Sequence, residues 1–159
     1  MSTKAQRYQT LWHKYESEHD RLPASAREVI EWGVRNGLIE LPSIDPYDVA
    51  AGEMAKALRG EFATDSKGRR YRVNHAVRVT RGGVQYTFWA RLGVAPKEHM
   101  MLAFYQRREQ IVSDCVQLKI DVDVYNDSDQ GSEPIQLVLD FKDDVAERLE
   151  WSSRGTRAA

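Results

Sequence analysis

Cysteine is nearly missing. Cys115 is the only one in 159 residues, so no intrachain disulfide can form, and a reducing compartment, the cytoplasm, is expected. Long apolar runs are missing too. No stretch approaches the roughly 20 consecutive apolar residues that cross a bilayer, and Met1 to Glu16 offers no apolar core for a signal peptide, so no membrane role is expected. No phosphate-cradling glycine loop, serine elbow or metal-spaced set of Cys and His occurs. The chain is therefore not expected to be an enzyme, and no cofactor, metal or small-molecule ligand is expected. The most informative absence is of acid: Ser66 through Lys97 carries no Asp or Glu but eight bases, whereas Ile120 through Glu150 carries ten acids and only two bases. A formal net charge of -1 thus hides two patches of opposite sign, which either neutralise each other within the fold or leave a positive surface for a polyanion.

The basic stretch, Lys67 to Leu92, reads as a β-hairpin turning at Gly82-Gly83, since two glycines reach the positive φ that a two-residue loop requires. That turn sets Val79 against Tyr86, Val77 against Phe88, His75 against Ala90 and Val73 against Leu92, an apolar face on which His75 is expected as a buried, hydrogen-bonding side chain. The other face carries Arg70, Arg72, Asn74, Ala76 and Arg78 opposite Arg91, Trp89 and Thr87. Alternate strand positions lie about 7 Å apart, close to the spacing of phosphates along a nucleic acid strand. Trp89, facing small Ala76, is placed to stack on an unpaired base unless another segment covers it.

Around this hairpin the expected fold class is α+β. Thr3 to His19 has an aromatic stripe at helical spacing ended by Pro23, and His13, Glu16 and His19 within it fan over about a third of the helix circumference, a conceivable but poorly focused metal set. Ser25 and Glu28 form a capping box for a second helix, in which Gly33 permits close approach and Gly37 suits the C-terminal cap. Leu38 to Leu41 is a candidate strand beside the hairpin. Asp45-Pro46 starts a third helix to about Arg59, with Tyr47, Ala51, Met54 and Leu58 expected inside and Lys56 and Arg59 outside. Thr64 to Gly68 is a turn. From Pro96 to Tyr125 no Gly, Pro or Asn interrupts the chain, and Met101, Phe104, Arg108, Ile111, Cys115, Leu118, Val122 and Tyr125 alternate at three and four, the seam of a helix about 45 Å long. Val116 to Val124 also alternates as a strand would, but no breaker precedes it, so the helix is preferred. A helix that long overhangs a domain of this size, and its seam predicts a homodimer through residues 96–125. Asp127, Asp129 and Glu133 lie in a polar loop whose spacing does not suit calcium. Ile135 to Phe141 reads as a strand joining the hairpin sheet, Asp143 to Trp151 as a short helix, and Ser152 to Ala159 as a disordered tail. In domain terms, residues 1–125 form one core, on which the acidic 126–151 segment packs.

Helices followed by an arginine-rich hairpin resemble, from about Ala26 to Leu92, the winged-helix class of DNA-binding domains. The resemblance implies that Pro46 to Arg59 enters the major groove, with Lys56 and Arg59 outward, and that Arg69 to Arg91 forms the wing. The expected function is nucleic-acid binding, to duplex DNA, by a small transcriptional regulator using Arg69, Arg70, Arg72, Arg78, Arg81, Trp89, Arg91, Lys56 and Arg59. The alternative is a protein-interaction module dimerising through the long helix, its arginines satisfied by internal acids.

Overall fold

In the computed structural model, which describes residues 2–19, 24–128 and 131–157, the chain is α+β and divides into two compact units, Met1–Ala50 and Ala51–Ala159. In the first unit, α1 (Lys4–Glu18) and α2 (Ala26–Arg35) both start with capping boxes, so the exposed amides of each first turn find side-chain acceptors. The Ser25 N–H donates to Glu28 Oε2 (2.9 Å) and the Glu28 N–H to Ser25 Oγ (3.2 Å). These bonds hold the Glu28 carboxyl below its ordinary range, the Ser25 amide contributing most. At its other end α2 closes through Gly37, whose φ of 65° lets Gly37 N–H reach the Val34 carbonyl (3.1 Å) and Leu38 N–H the Gly33 carbonyl (2.9 Å). Leu11, Tyr15 and Val29 are the buried centre, with Trp12, Ala24, Ile30, Trp32 and Ile39 packed around them. Gly33 lies against Leu11 so closely that an added Cβ would sit 2.8 Å from both of its terminal methyls. Ile39 belongs to this centre and Leu38 to Leu41 forms no strand, because its apolar residues complete a helical pair rather than a sheet edge. Pro23 lies outside the described residues.

Helix α3 (Pro46–Gly60) begins where Asp45 Oδ1 accepts from Tyr47 N–H (2.9 Å). The face expected to be buried is open: Tyr47 is 85% exposed and Met54 63%, and only Leu58 of the four is half-buried. The expected inward positions are therefore not a buried stripe among the described residues, since periodicity groups residues on a face but does not supply the element that covers it.

The stretch expected to be one long hairpin from Lys67 is two. Strands β1 (Phe62–Thr64) and β2 (Arg70–Arg72) pair around the Asp65 to Gly68 turn, and β3 (Asn74–Arg81) pairs with β4 (Val84–Arg91) around Gly82 and Gly83, at φ 56° and 78°. Val73 is the switch between them. Its N–H donates to the Glu61 carbonyl (3.1 Å) and its own carbonyl accepts from Leu92 N–H (2.9 Å), so hydrogen bonding changes partner there. Within β3 and β4 the register is the one the glycine turn dictates, with Val77 opposite Phe88, His75 opposite Ala90 and Ala76 opposite Trp89.

Residues 116–124 are helical, inside α4 (Lys97–Ser128). Its first half runs along the β3 edge. There Arg78 N–H donates to Gln106 Oε1 and Gln106 Nε2 donates back to the Arg78 carbonyl, both at 2.8 Å, so one side-chain amide takes the place of a neighbouring strand. Val77, His75 and Ala103 are buried at this junction. Ile135 to Phe141, expected as a strand, forms no strand and joins no sheet among the described residues; the Asn126 amide ties Ile135 to the end of α4 through two 2.9 Å bonds. Alternation marks which residues share a face, and a strand also needs a partner edge. Helix α5 (Lys142–Arg157) starts at Asp140, with Asp143 and Asp144 in its first turn, and continues through residues the sequence reading assigned to a disordered tail. No described helix is long and apolar enough to cross a membrane.

Candidate nucleic-acid interface

The polar face of β3 and β4, the C-terminal end of α3 and the first half of α4 enclose a cleft of about 500 Å³. Its positive wall comes from four elements: Arg59 from α3, Arg72 from β2, Arg78 from β3 and Arg107 from α4. Asn74 fixes the α3 side, since its amide donates to Glu61 Oε2 (2.6 Å) and to the Leu58 carbonyl (3.3 Å), and so places Arg59 over the hairpin. The Gln106 clamp does the same for α4 and brings Arg107 in beside Arg72. Burial, and then the charge of Arg72, pushes the Arg107 guanidinium below its ordinary value, yet it stays protonated at any physiological pH. Like charges have been brought together here. Arg59, Arg72, Arg78 and Arg107 form no ion pair with any described residue, and the one acid lining the cleft, Glu109, is engaged by Arg108 (2.9 Å).

Trp89 is half-buried in this cleft, with the Arg59 guanidinium 5.6 Å from its ring centre. It is neither sealed under another segment nor fully in solvent, and Thr80, Gln85, Asn74 and Gln110 line the same cleft with neutral hydrogen-bonding groups. Beneath the hairpin, His75 is 8% exposed, donates from Nε2 to the Arg72 carbonyl (2.9 Å), and meets the Phe104 ring edge-on; its own carbonyl accepts from His99 Nε2 (2.9 Å). These bonds hold the backbone that carries Arg72. Chain scans against family models, curated proteins and solved structures give no match.

Of the residues singled out from the sequence, Arg59, Arg72, Arg78 and Trp89 share the cleft. Arg69 does not join them, because Asp65 holds it: Oδ2 accepts from Nε (2.7 Å) and from the second guanidinium nitrogen (2.6 Å), while Oδ1 accepts from Lys67 and Arg69 N–H. That pairing, with the Arg69 side-chain bond contributing most, keeps the Asp65 carboxyl below its ordinary range. Arg70 lies over the Phe62 ring at 3.9 Å, and Arg81 sits 5.9 Å from the Phe88 ring at the far end of the hairpin. Arg91, opposite Asn74, and Lys56, on α3, are exposed and lie outside the cleft lining. Arg107 and Gln106 were missed by sequence reasoning. The usable signal was small Ala103 on the helix face away from the seam, which marks where α4 approaches the hairpin closely. The His13, Glu16 and His19 trio does not converge: His13 pairs with Glu16 (3.3 Å), and His19 stacks on Tyr15 and meets Trp32 edge-on. No group of three metal-ligating side chains occurs among the described residues, and Asp129 lies outside them.

Proposed function

We propose that the chain binds nucleic acid, seating a single strand in the cleft between the hairpin and α4. One observation carries this reading: four guanidiniums converge on one cleft without a carboxylate partner, an arrangement that costs repulsion in the free protein and is relieved when phosphates enter. Trp89 supplies the second element, an aromatic surface flanked by arginine on which a base can stack, worth about 1–3 kcal/mol per base. The size of the cleft favours a single strand: a volume of about 500 Å³ is of the order of one or two nucleotides, far smaller than a duplex segment. Contact with duplex DNA would then fall to the outer arginines of the hairpin region, Arg70, Arg81 and Arg91.

The test is fluorescence anisotropy of a labelled oligothymidylate and of a duplex of equal length. Single-strand binding at least tenfold tighter than duplex binding, lost when Trp89 is changed to Ala, supports the reading. No binding of either at about 50 mM salt, or binding indifferent to Trp89, overturns it.

A further inference from the structure

We propose that the cleft receives the phosphorylated end of a strand and not its interior, an inference that rests on nucleic-acid binding at this site. The charge count points there. Four guanidiniums line a volume of about 500 Å³, and the single carboxylate among them, Glu109, leaves an excess of three positive charges, or of four where Arg108 neutralises Glu109. The interior of a strand brings one negative charge per nucleotide, so the one or two nucleotides that fit supply at most two. A terminal phosphate monoester carries about two charges at neutral pH, and with the diester that follows it the end of a strand supplies about three. The end matches the cleft, and the interior falls short of it.

The cations are also gathered at one end. Strand β3 and α4 run in the same direction, because His99 donates to the His75 carbonyl and Gln106 grips Arg78 further along both. At the start of that path Arg107 lies beside Arg72, and Arg59 stands over Trp89, which faces Ala76. Arg78 follows. Beyond it the lining is neutral apart from Glu109: Thr80 and Gln85 pair across the hairpin, and Gln110 and Ser113 come from α4. A groove for the middle of a strand carries cations along its length, since every nucleotide presents a phosphate. One that grades from guanidinium to amide suits a ligand whose charge is concentrated at its tip. Arginine forks take the oxygens of a phosphate monoester two at a time, Trp89 stacks on the terminal base, and the amides of Gln85 and Gln110 offer donors and acceptors to the next one.

The test compares oligothymidylates of equal length, each labelled within the strand, by fluorescence anisotropy with the intact chain: one with hydroxyl ends, one with a 5′-phosphate, one with a 3′-phosphate and one circular. A phosphorylated strand should bind at least about tenfold tighter than the hydroxyl-ended one, with the 5′ or 3′ identity of the gain fixing the direction of the strand, and the circle should show no gain. Equal affinity for all four overturns the inference and leaves strand binding standing, whereas no binding of any overturns both. Thymidine monophosphate competing as strongly as a phosphorylated strand identifies a free nucleotide as the occupant and likewise overturns the strand end. The double variant Arg72→Ala with Arg107→Ala should erase the preference, and Arg70→Ala, outside the cleft, should keep it. A preference that survives the double change places the phosphate elsewhere and refutes the assignment. Because the four strands are compared on the unmodified chain, a folding defect in either variant leaves that comparison intact.

Discussion

Removing Arg72 and Arg107 together separates a cleft built for a polyanion from one that is only a by-product of packing. Each phosphate neutralised by a cationic side chain releases counterions, and on a single strand the slope of log affinity against log salt is about -0.7 per contact. Four guanidiniums give a slope of about -2.8, so affinity should fall about 50-fold between roughly 50 and 200 mM salt. With Arg72 and Arg107 both replaced by alanine, two contacts remain, the slope drops to about -1.4, and the same change of salt costs only about sevenfold. Stability should move little. Neither arginine has a carboxylate partner, and the two repel each other, so the double variant should unfold within about 0.5 kcal/mol of the parent. The assay is anisotropy at four or more salt concentrations, run beside urea unfolding of the same samples. An unchanged slope would refute the assignment of these two side chains to phosphate. A loss of several kcal/mol of stability would show instead that they hold the fold together.

Three further outcomes follow from the packing. Gly33→Ala should destabilise by about 1–2 kcal/mol net of helix propensity, since its Cβ would lie 2.8 Å from Leu11 methyls and 3.0 Å from Ile39 Cγ2; Gly52→Ala, in open space within α3, should stabilise by about 0.5–1 kcal/mol, and urea midpoints for the pair check both. Gln106→Ala leaves the Arg78 N–H and carbonyl without their clamp and should cost about 1–2 kcal/mol, with faster hydrogen exchange at the Arg78 amide as its local signature. Glu28, whose carboxyl is held below its ordinary value in the fold, lends α2 stability that is present above the unfolded-state value and lost as pH falls through the lower folded one. Circular dichroism from about pH 5 to about pH 2 should therefore show an acid-induced loss of helix that is smaller in Glu28→Gln, and identical profiles would exclude the carboxylate as its source.

Local chemistry settled much of this protein before any tertiary contact was considered. Ser25 with Glu28, Asp45 before Pro46, Gly37 at a helix end and the Gly82-Gly83 turn each act over a few residues, and each stands where its spacing put it. The β3 to β4 register follows from that turn alone, because a side-chain period of two leaves no freedom once the loop is set. The unbroken run after Pro96 likewise carried the helix through Val116 to Val124 against a competing alternation. Tertiary structure decided the rest, wherever the outcome depended on a partner distant in sequence. Among the described residues, Ile135 to Phe141 has the alternation of a strand but joins no sheet, and the stripe of α3 expected inside stays mostly exposed. Arg69 and Arg72 look alike in sequence, three residues apart. One is neutralised by Asp65, and the other is left facing Arg107 from a helix that starts some 25 residues further on, because only the folded chain determines which charges meet.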